Sequence, residues 1–394
     1  VRKNNKESAS FEYDDSWLEN PVRFSLEPAL QVGPGAFHTP ADTPMFGAIG
    51  DSAPDRWGRA LMRRAERRRA EGAGTTPRSL QEIDFLLLVD DEARQGALRF
   101  AEKEGGPFLR EEGVKRIPPL VELPELLSAA EHVVEDKDTE DDLRLLMAPG
   151  SSLGGARPKA SVIEKDGQLA IAKFPRRDDE YNTVVWEGIA LTLAAKSGIP
   201  VPESRVETVS NKPVILLRRF DREKAARIPF LSAMSMLGAK DRDTRSYLEI
   251  VDALRQHGAA PKEDMEQLWR RIVFSILISN TDDHLRNHGF LYAGQAGWRL
   301  SPAYDLNPMP ADIKPRILTT AINEDDGTAS LDLAMSVADY FELEKDKAKA
   351  IATQVGKAVS TWRDEAAKHG IGKAEIDRMT SAFEHDDLKK AVGK

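Results

Sequence analysis

The chain of 394 residues contains no cysteine. Disulfides, thiol catalysis and cysteine-ligated zinc sites are therefore excluded, and the composition suits a reducing compartment. Long apolar runs are also missing, since no stretch approaches the roughly 18 apolar residues of a membrane-spanning helix. The N-terminus has no apolar core of the kind found in signal peptides. We therefore expect a cytoplasmic protein without membrane contact.

Basic residues are fewer than acidic ones, with 56 Lys and Arg against 65 Asp and Glu, a net charge of −9 and a pI near 5.5. This balance argues against a broad nucleic-acid-binding surface made by the chain alone, so any DNA contact is expected to come through a partner. With 41% hydrophobic residues, the chain has enough apolar side chains for a large core, which predicts two or three domains.

The most informative stretch is Asn280-Thr-Asp-Asp-His-Leu-Arg-Asn287, which follows an apolar run ending at Ser279. The apolar run predicts a buried helix, and a polar cluster at its end would be costly without a metal or partners. Asp282 and Asn287 have the Asp-x-x-x-x-Asn spacing of a protein-kinase catalytic loop, in which the Asp accepts the hydroxyl proton and the Asn holds Mg²⁺. The alternative is a helix-exit loop with capping Asn and Asp residues.

A second carboxylate for the metal is expected downstream, at the Asp305 of Ser301-Pro-Ala-Tyr-Asp305. Residues 289–292 and 298–300 have the pattern of two short strands, joined by a turn that contains two glycines. This predicted hairpin would bring Asp305 back beside Asn287.

A glycine-containing stretch, Ser151-Ser-Leu-Gly-Gly155, precedes Lys159. Gly154, Gly155 and the neighbouring hydroxyls could arrange backbone N–H groups around phosphate oxygens. The order of a Walker A motif is absent. Taken alone, the stretch also fits an ordinary glycine turn.

The next segment predicts a hairpin with strands at 160–163 and 169–174, and Lys173 lies on the second strand. Kinases place the lysine that contacts the α- and β-phosphates on such a strand. An exposed strand lysine is the alternative. On the following predicted helix, 182–196, which we expect to be amphipathic, Glu187 either orients Lys173 or is a solvated helix glutamate.

The first hundred residues predict a small α/β domain. We expect strands over 11–17 and 22–26, and a helix that starts at Asp55 and continues through the basic run 63–69. The basic run is expected to be a solvated helix face, with contact to a partner or nucleic acid as the alternative. The charged, Gly- and Pro-containing stretch after residue 100 predicts a domain boundary near residue 105.

Four motifs together resemble the HipA family of serine/threonine kinases, the toxin half of HipBA-type toxin–antitoxin modules. They are Ser152-x-Gly-Gly-Ala-x-Pro-Lys159, Arg219-Phe-Asp-Arg222, Asn280-Thr-Asp-Asp-His-x-x-Asn287 and Leu300-Ser-Pro-Ala-Tyr-Asp305. The segment Asp51-Ser-Ala-Pro-Asp-Arg-Trp-Gly-Arg59 is also similar to the N-terminal domain of that family, so the resemblance spans nearly the whole chain in the expected order. One departure is Arg157, where some relatives carry glutamine.

The resemblance implies an α+β fold, with a small N-terminal α/β domain (1–105), a region like a kinase N-lobe (106–225) and a mainly helical C-terminal lobe (226–394). It implies ATP and Mg²⁺ as cofactors. The implied site residues are the base Asp282; the metal ligands Asn287 and Asp305; the nucleotide-binding residues Lys173, Gly154, Gly155 and His284; and Arg218 with Phe220 at the adenine edge. His284 would contact the nucleotide or position the loop, and a structural histidine is the alternative.

The resemblance further implies autophosphorylation at Ser152, or at the adjacent Ser151, and a role as a toxin linked to bacterial persistence. It implies a helix-turn-helix antitoxin like HipB, which would bring operator DNA. The substrate would be a protein, by analogy a translation factor or an aminoacyl-tRNA synthetase.

Two functions of other classes stay open. A metal-dependent hydrolase would use Asp282, Asp283, His284 and Asp305 as ligands. A catalytically silent co-repressor would act on an antitoxin–DNA complex, which the intact Asp282, Asn287 and Asp305 disfavour.

Overall fold

The computed structural model describes residues 2–3, 6–109, 117–150 and 155–393, so Ser151, Ser152 and Gly154 lie outside the described residues. The chain forms two compact units. The first unit comprises Val1–Asp179 and Arg205–Leu231, and the second comprises Glu180–Ser204 and Ser232–Lys394. The domain limits at residues 105 and 225 stay a prediction. Within the described ranges, no helix has both the length and the apolar character needed to cross a lipid bilayer.

The first unit mixes short strands with helices. Its helices are Asp15–Glu19, Gly47–Gly50, Arg56–Gly72, Glu82–Leu88, Leu123–Val134 and Glu140–Gly150, with a 3-10 turn at Leu120–Glu122. Its strands are Arg2–Lys3, Lys6–Glu7, Ser10–Glu12, Ala36–His38, Lys159–Ile163, Leu169–Lys173, Lys212–Arg218, Arg222–Glu223 and Ala226–Arg227. The strands Ser204–Val209 and Phe230–Ser232 each run across a unit boundary.

The main sheet of this unit has four strands in the spatial order Lys159–Ile163, Leu169–Lys173, Lys212–Arg218, Ser204–Val209. The first two strands pair antiparallel, which confirms the predicted hairpin. We call these two strands the lysine hairpin. Alternate residues of the sheet face a core to which the helices Leu123–Val134 and Glu140–Gly150 contribute their apolar sides. The sheet thereby gains a covered face, which stabilises the position of the hairpin.

The predicted strands at 11–17 and 22–26 are wrong. The first ends at Glu12 because Asp14 accepts a hydrogen bond from the Ser16 N–H (2.9 Å) and begins the helix Asp15–Glu19. Residues 22–26 form no strand, because Asn20 and Pro21 turn the chain there. The partner of Ser10–Glu12 is instead Ala36–His38.

The basic run lies, as predicted, on a helix that begins after Asp55, the helix Arg56–Gly72. Arg63, Arg67, Arg68 and Arg69 are exposed, as expected of a solvated helix face, but part of the charge is paired. Within the run, Arg64 pairs with Asp138 and Arg69 pairs with a carboxylate of its own helix. One turn before the run, Arg59 binds Glu82 through two hydrogen bonds of 2.5 and 2.6 Å. Because much of this charge is neutralised within the unit, the run does not make a strong nucleic-acid surface.

The second unit is mainly helical. Its helices are Thr183–Lys196, Ala233–Met236, Tyr247–His257, Pro261–Leu277, Leu331–Ser336, Lys345–Val359, Trp362–Lys368, Lys373–Arg378, Thr380–Phe383 and Asp386–Val392, with 3-10 turns at Leu285–Asn287, Gly294–Ala296 and Ala338–Phe341. Two strands, Gly289–Tyr292 and Trp298–Leu300, pair antiparallel and confirm the predicted hairpin.

The helix Thr183–Lys196 was predicted to be amphipathic, but it is buried on nearly every side. Its Trp186 packs against Trp362 and Phe383, which stack on each other with ring centroids 4.6 Å apart. These contacts bury apolar and small side chains all round the helix, so it lies at the centre of the unit.

The C-terminal tail turns between the helices Lys345–Val359 and Trp362–Lys368. The hydroxyls of Ser360 and Thr361 donate to the carbonyls of Lys357 and Ala358 at 2.8 Å, and the chain turns before the helix Trp362–Lys368. Hydroxyl side chains that bond nearby carbonyls compete with helical hydrogen bonding. The tail therefore consists of several short helices.

Candidate active site

The helix Pro261–Leu277 delivers the polar stretch 280–287, which we call the catalytic loop. From Leu268 to Leu277 every residue of this helix is buried, as the apolar run predicted. The helix ends where Ser279 has a left-handed backbone (φ 53°) and the Asn280 N–H donates to the Ser275 carbonyl at 2.8 Å. A buried helix end thus sets the position at which the loop begins.

The catalytic loop folds around a hydrogen bond between its two predicted kinase residues. The Asn287 side-chain N–H donates to the Asp282 carbonyl at 2.9 Å, and the Asn287 backbone N–H donates to the His284 carbonyl at 2.8 Å. Asn287 is buried, whereas 63% of the Asp282 side chain is exposed. The capping alternative does not describe this arrangement, because the Asp282 carboxylate points into solvent while its backbone holds the loop closed.

His284 stands between these residues at the start of the 3-10 turn Leu285–Asn287. Its N–H donates to the Asp282 carbonyl at 3.0 Å. Its ring Nδ1 is buried and has no hydrogen-bond partner within the described part of the chain. A buried ring nitrogen without a partner fits a residue that acquires one from a bound ligand, although the backbone contacts also fit a loop-positioning role.

Asp283 faces the interior of the unit instead of solvent. One of its oxygens accepts from the Tyr247 hydroxyl and from the Ser275 hydroxyl at 3.1 Å, and the other lies 2.9 Å from His288 Nε2. Burial raises the pKa of Asp283, but the attraction to His288 and these hydrogen bonds outweigh it and hold the pKa below its ordinary value. Burial, together with the Asp283 charge, raises the pKa of Tyr247 well above its usual range.

These contacts engage Asp283 inside the unit, so it is not placed as a metal ligand of the hydrolase alternative. Sequence reasoning missed Tyr247 and His288. The one local signal was that two aspartates are adjacent in the sequence. Neighbouring side chains point in different directions, so with Asp282 facing solvent, Asp283 was the one to face inward.

Asp305 returns to the catalytic loop, as the hairpin predicted. The Tyr304 hydroxyl donates to the Arg286 carbonyl at 2.7 Å, and the Asn307 N–H donates to the Asn280 side-chain oxygen at 3.1 Å. Asp305 lies between these two contacts and has a left-handed backbone with φ 59°, an uncommon conformation for a residue other than glycine. Such strain at one residue is typical of functional sites.

Asn287 and Asp305 offer an amide oxygen and a carboxylate, which are ligands that Mg²⁺ prefers. Mg²⁺ is usually held by one or two carboxylates plus substrate phosphates, so this small donor set fits it. Across residues 2–3, 6–109, 117–150 and 155–393, no group of three or more His, Cys, Asp or Glu residues could hold a metal ion.

In the first unit, Gly155, the last residue of the glycine stretch, is bonded to residues at the start of the helix Arg56–Gly72. Gly155 has φ +83°, and its N–H donates to the Asp55 carboxylate at 2.6 Å. The Trp57 N–H donates to the Gly155 carbonyl at 3.1 Å. The N-terminal motif around Asp55 therefore holds the end of the glycine stretch, a contact that no local pattern predicted.

The two lysines of the lysine hairpin lie side by side. Lys159 and Lys173 are directly opposed on neighbouring strands, and both are buried, with 6% and 9% of their surfaces exposed. The exposed-lysine alternative is therefore wrong. A Cβ atom at Gly155 would lie only 2.8 Å from Lys159 Nζ, so one ammonium group adjoins the glycine stretch. Two ammonium groups at neighbouring positions, one of them beside the glycine stretch, fit a phosphate-binding role.

Arg218 and Phe220 flank the end of the strand Lys212–Arg218. Arg218 forms an ion pair with Asp166, in the turn of the lysine hairpin, and the Phe220 ring lies 6.5 Å from that of Phe230. Their predicted role at the adenine edge stays a prediction. Arg157 binds the Asp179 carboxylate through both terminal nitrogens at 2.9 and 2.7 Å, which gives this departure from relatives a structural partner.

Glu187 belongs to the second unit and only 4% of its surface is exposed, so the solvated-glutamate alternative is wrong. Its predicted partner Lys173 belongs to the first unit, and their pairing stays a prediction. The described site residues are thus grouped in two sets. One contains Asp282, His284, Asn287 and Asp305, and the other contains Gly155, Lys159 and Lys173.

Comparison with known proteins identifies the family. The description "HipA-like C-terminal domain" matches residues 151–362, more than half of the chain. The chain belongs to the HipA-like family. The matched region includes the lysine hairpin and the catalytic loop, so both sets of site residues lie in the shared part.

The chain is also similar to individual curated proteins and solved structures. Y4mE of Sinorhizobium fredii, named as a candidate kinase, is 25% identical over 351 residues, which cover 78% of this chain and 74% of Y4mE. A candidate kinase of Haemophilus influenzae is 24% identical over 46% of this chain and 61% of its own length. The HipA of a Shewanella oneidensis complex with HipB and operator DNA matches with a TM-score of 0.70 at 15% identity, over 98% of this chain and 95% of that chain. That similarity confirms the predicted fold class.

Proposed function

We propose that this HipA-like protein is an ATP- and Mg²⁺-dependent serine/threonine protein kinase. The catalytic loop carries the proposal. It holds Asp282 outward on a backbone closed by Asn287, and the segment that contains Asp305 is bonded to the same loop. A base, an amide oxygen and a second carboxylate in this order are the parts that a kinase needs for phosphoryl transfer.

Asp282 acts as the base in this proposal. A substrate hydroxyl approaches its exposed carboxylate, which orients the hydroxyl and accepts its proton as the oxygen attacks the γ-phosphorus. A new P–O bond forms to the substrate oxygen, the bond to the β-phosphate bridging oxygen breaks, and ADP leaves. Asn287 and Asp305 would hold Mg²⁺, which when bound neutralises charge on the phosphates. Catalysis then comes mainly from positioning and electrostatics.

Lys173 and Lys159 are proposed to contact phosphate oxygens, together with the backbone N–H groups of Gly154 and Gly155. The buried, opposed positions of the two lysines support this role. His284 is proposed as a further nucleotide contact because of its unpartnered buried nitrogen. Arg218 and Phe220 are proposed at the adenine edge, and Glu187 as the carboxylate that orients Lys173.

We further propose a helix-turn-helix antitoxin like HipB as the partner that restrains the kinase. The structural match is to a HipA in a complex with HipB and operator DNA, which supports this choice. The net charge of −9 also fits a protein that meets DNA through a basic partner. The protein substrate is proposed by analogy to be a translation factor or an aminoacyl-tRNA synthetase, which would make the chain a toxin.

Self-inactivation is proposed to occur by phosphorylation of Ser152, with Ser151 as the alternative. A phosphate adds about two negative charges. Charge of that sign beside the phosphate-binding lysines would oppose the triphosphate, so ATP binding is expected to fall after modification.

The test is incubation of purified protein with ATP and Mg²⁺, followed by intact-mass and peptide mass spectrometry. Asp282→Asn is compared with Asp332→Asn, which makes the same change at an exposed residue paired with Lys390. We expect a gain of one phosphate on Ser152 or Ser151 in wild type and Asp332→Asn, and none in Asp282→Asn. The Asp282→Asn protein should still bind ATP, because the fold and the lysine hairpin are unchanged.

Two results would count against the proposal. Equal phosphate gain in Asp282→Asn would remove Asp282 from the role of base. Absence of phosphoryl transfer in wild type to itself or to added protein, despite ATP binding, would favour the silent co-repressor, and absence of ATP binding would remove the kinase assignment.

A further inference from the structure

The segment 308–320, which we call the proline segment because it contains Pro308, Pro310 and Pro315, contacts the outer side of the catalytic loop. The Met309 N–H donates to the Ser279 carbonyl at 3.2 Å, and the Thr320 hydroxyl donates to the Asp283 carbonyl at 2.7 Å. One end of the proline segment is therefore bonded to Ser279, the residue before the catalytic loop, and the other end to Asp283 within it; all of these residues belong to the second unit.

Lys314 lies in the middle of the proline segment and directs its side chain to the loop. Its ammonium donates to the Thr281 carbonyl at 3.2 Å and lies 3.9 Å from Asp282 Oδ1. About 40% of the Lys314 side chain is exposed, so the ammonium borders solvent on the same side as the Asp282 carboxylate. A cation thus stands beside the residue proposed to orient the substrate hydroxyl.

The backbone around Lys314 is restrained. On one side, the Ile313 N–H donates to the Pro310 carbonyl at 3.0 Å. On the other side, Pro315 restricts the conformation of Lys314, and Arg316 binds Asp387 and the Ile276 carbonyl at 2.9 and 3.1 Å. The backbone of Lys314 is therefore held in place, so the entropy lost when its ammonium engages a ligand is that of the side chain.

Another cation of the loop is already engaged in an ion pair. Arg286, the basic residue within the catalytic loop, forms an ion pair with Asp241. Negative charge develops on the oxygens of the transferring phosphoryl group, and a fixed cation close to it stabilises the transition state more than the ground state. Lys314 is placed to supply that charge.

We propose that Lys314 is a catalytic residue whose ammonium contacts the transferring phosphoryl group beside Asp282. The proposal rests on the kinase function proposed above. During transfer the P–O bond to the substrate oxygen forms, the bond to the ADP oxygen breaks, and the substrate proton passes to Asp282. Lys314 keeps its own protons and acts only through charge and hydrogen bonding.

The test separates charge from loop support with three variants. Lys314→Gln removes the charge but keeps an N–H donor for the Thr281 carbonyl, and Lys314→Arg restores the charge. Thr319→Val removes a second donor to the same carbonyl, at 2.9 Å, without changing any charge. Lys349→Gln makes the matched substitution at an exposed residue of the helix Lys345–Val359.

For each variant, kcat of phosphoryl transfer and the Kd of ATP are measured separately. We expect Lys314→Gln to lower kcat about 100-fold or more, as loss of one transition-state donor does, with the Kd of ATP within about threefold of wild type. Lys314→Arg should recover at least about tenfold of the lost kcat. Thr319→Val should stay within about threefold, and Lys349→Gln should be unchanged.

Distinct results overturn the inference. A kcat of Lys314→Gln close to wild type would show that the cation is not needed. Equal losses in Lys314→Gln and Thr319→Val, without recovery in Lys314→Arg, would show that Lys314 only supports the loop. Absence of transfer in wild type, equal to Asp282→Asn, would overturn the proposed function itself and this inference with it.

Discussion

The buried ion network around Asp221 offers the sharpest test of how the first unit is held together. Only 5% of the Asp221 side chain is exposed, and 3% and 7% of those of Arg219 and Arg222. The carboxylate accepts from the Gly96 N–H at 2.7 Å, from Arg219 at 2.6 and 2.9 Å, and from Arg222 at 2.9 Å. It therefore links a turn near residue 96 to the Arg219-Phe-Asp-Arg222 motif.

The change Asp221→Asn should destabilise the first unit strongly. It removes the charge between two buried guanidinium groups, and breaking a buried pair in this way costs about 3–5 kcal/mol. We expect about 3 kcal/mol, the lower end, because the Asn oxygen still accepts from Gly96 and Arg219 also donates to the Ala93 and Arg94 carbonyls. Such a loss raises the unfolded fraction on the order of 100-fold.

The assay is urea unfolding followed by circular dichroism, with peptide-level hydrogen exchange around Gly96 because the two units need not unfold together. The matched control is Asp141→Asn. The side chain of Asp141 is 84% exposed and lies 2.8 Å from that of Arg144, which is 81% exposed. That pair should contribute less than about 1 kcal/mol. A difference below about 1 kcal/mol between the two variants would refute the reasoning.

The pH dependence gives an independent check on Asp221. Burial raises its pKa, but Arg219 and Arg222 outweigh burial and hold it below the ordinary value of 3.8. The stabilising contribution is therefore present above about pH 3.8 and is lost as the pH falls further. The difference in free energy of unfolding between wild type and Asp221→Asn should therefore become smaller in that acid range.

Two further predictions concern buried carboxylates. Glu27 accepts from the Ala48 N–H, and burial, chiefly, raises its pKa from 4.5 to about 7. Its contribution to stability is full below pH 4.5 and is lost as the pH rises through about 7. The free energy of unfolding of wild type, measured in urea, should therefore fall by up to about 3 kcal/mol between pH 5 and 8. Glu27→Gln should abolish this pH dependence, and a pH dependence equal to that of wild type would contradict the raised pKa. Asp283→Asn leaves the buried Tyr247 and His288 with a weaker partner, so the free energy of unfolding, measured by thermal unfolding, should fall by about 2 kcal/mol or more. Tyr247→Phe should lower it by about 1 kcal/mol. Equal losses in the two variants would show that the carboxylate charge is not needed.

Local patterns were sufficient for the elements that carry the catalytic loop. The apolar run before Ser279 predicted a buried helix, and the turn between residues 292 and 298 predicted the hairpin that returns Asp305. Both depend on residues close in sequence, whose hydrogen bonds and burial are set by helical or strand periodicity. The hairpin that carries Lys173 was predictable for the same reason.

Burial was harder to predict than secondary structure. Lys173 and Glu187 each had an exposed alternative, and both are buried. The helix Thr183–Lys196 was predicted to be amphipathic, but it is buried on nearly every side. A sequence shows which side chains are polar, whereas their burial depends on the elements that pack around the helix. The strand predicted over 11–17 failed because the capping residue Asp14 outweighed an alternating pattern, and the strand predicted over 22–26 failed because Asn20 and Pro21 turn the chain.

By itself, the sequence determined the order of the motifs, the identity of the candidate base and metal ligands, and the exclusion of thiol chemistry. Tertiary structure decided which side chains support them: Asp55 holds Gly155 across 100 positions, Tyr247 reaches Asp283 across 36, and Lys314 reaches Thr281 across 33. These contacts join residues far apart in the chain, and their geometry arises only when the core packs. Periodicity and spacing act over a few residues, so they cannot specify such pairs.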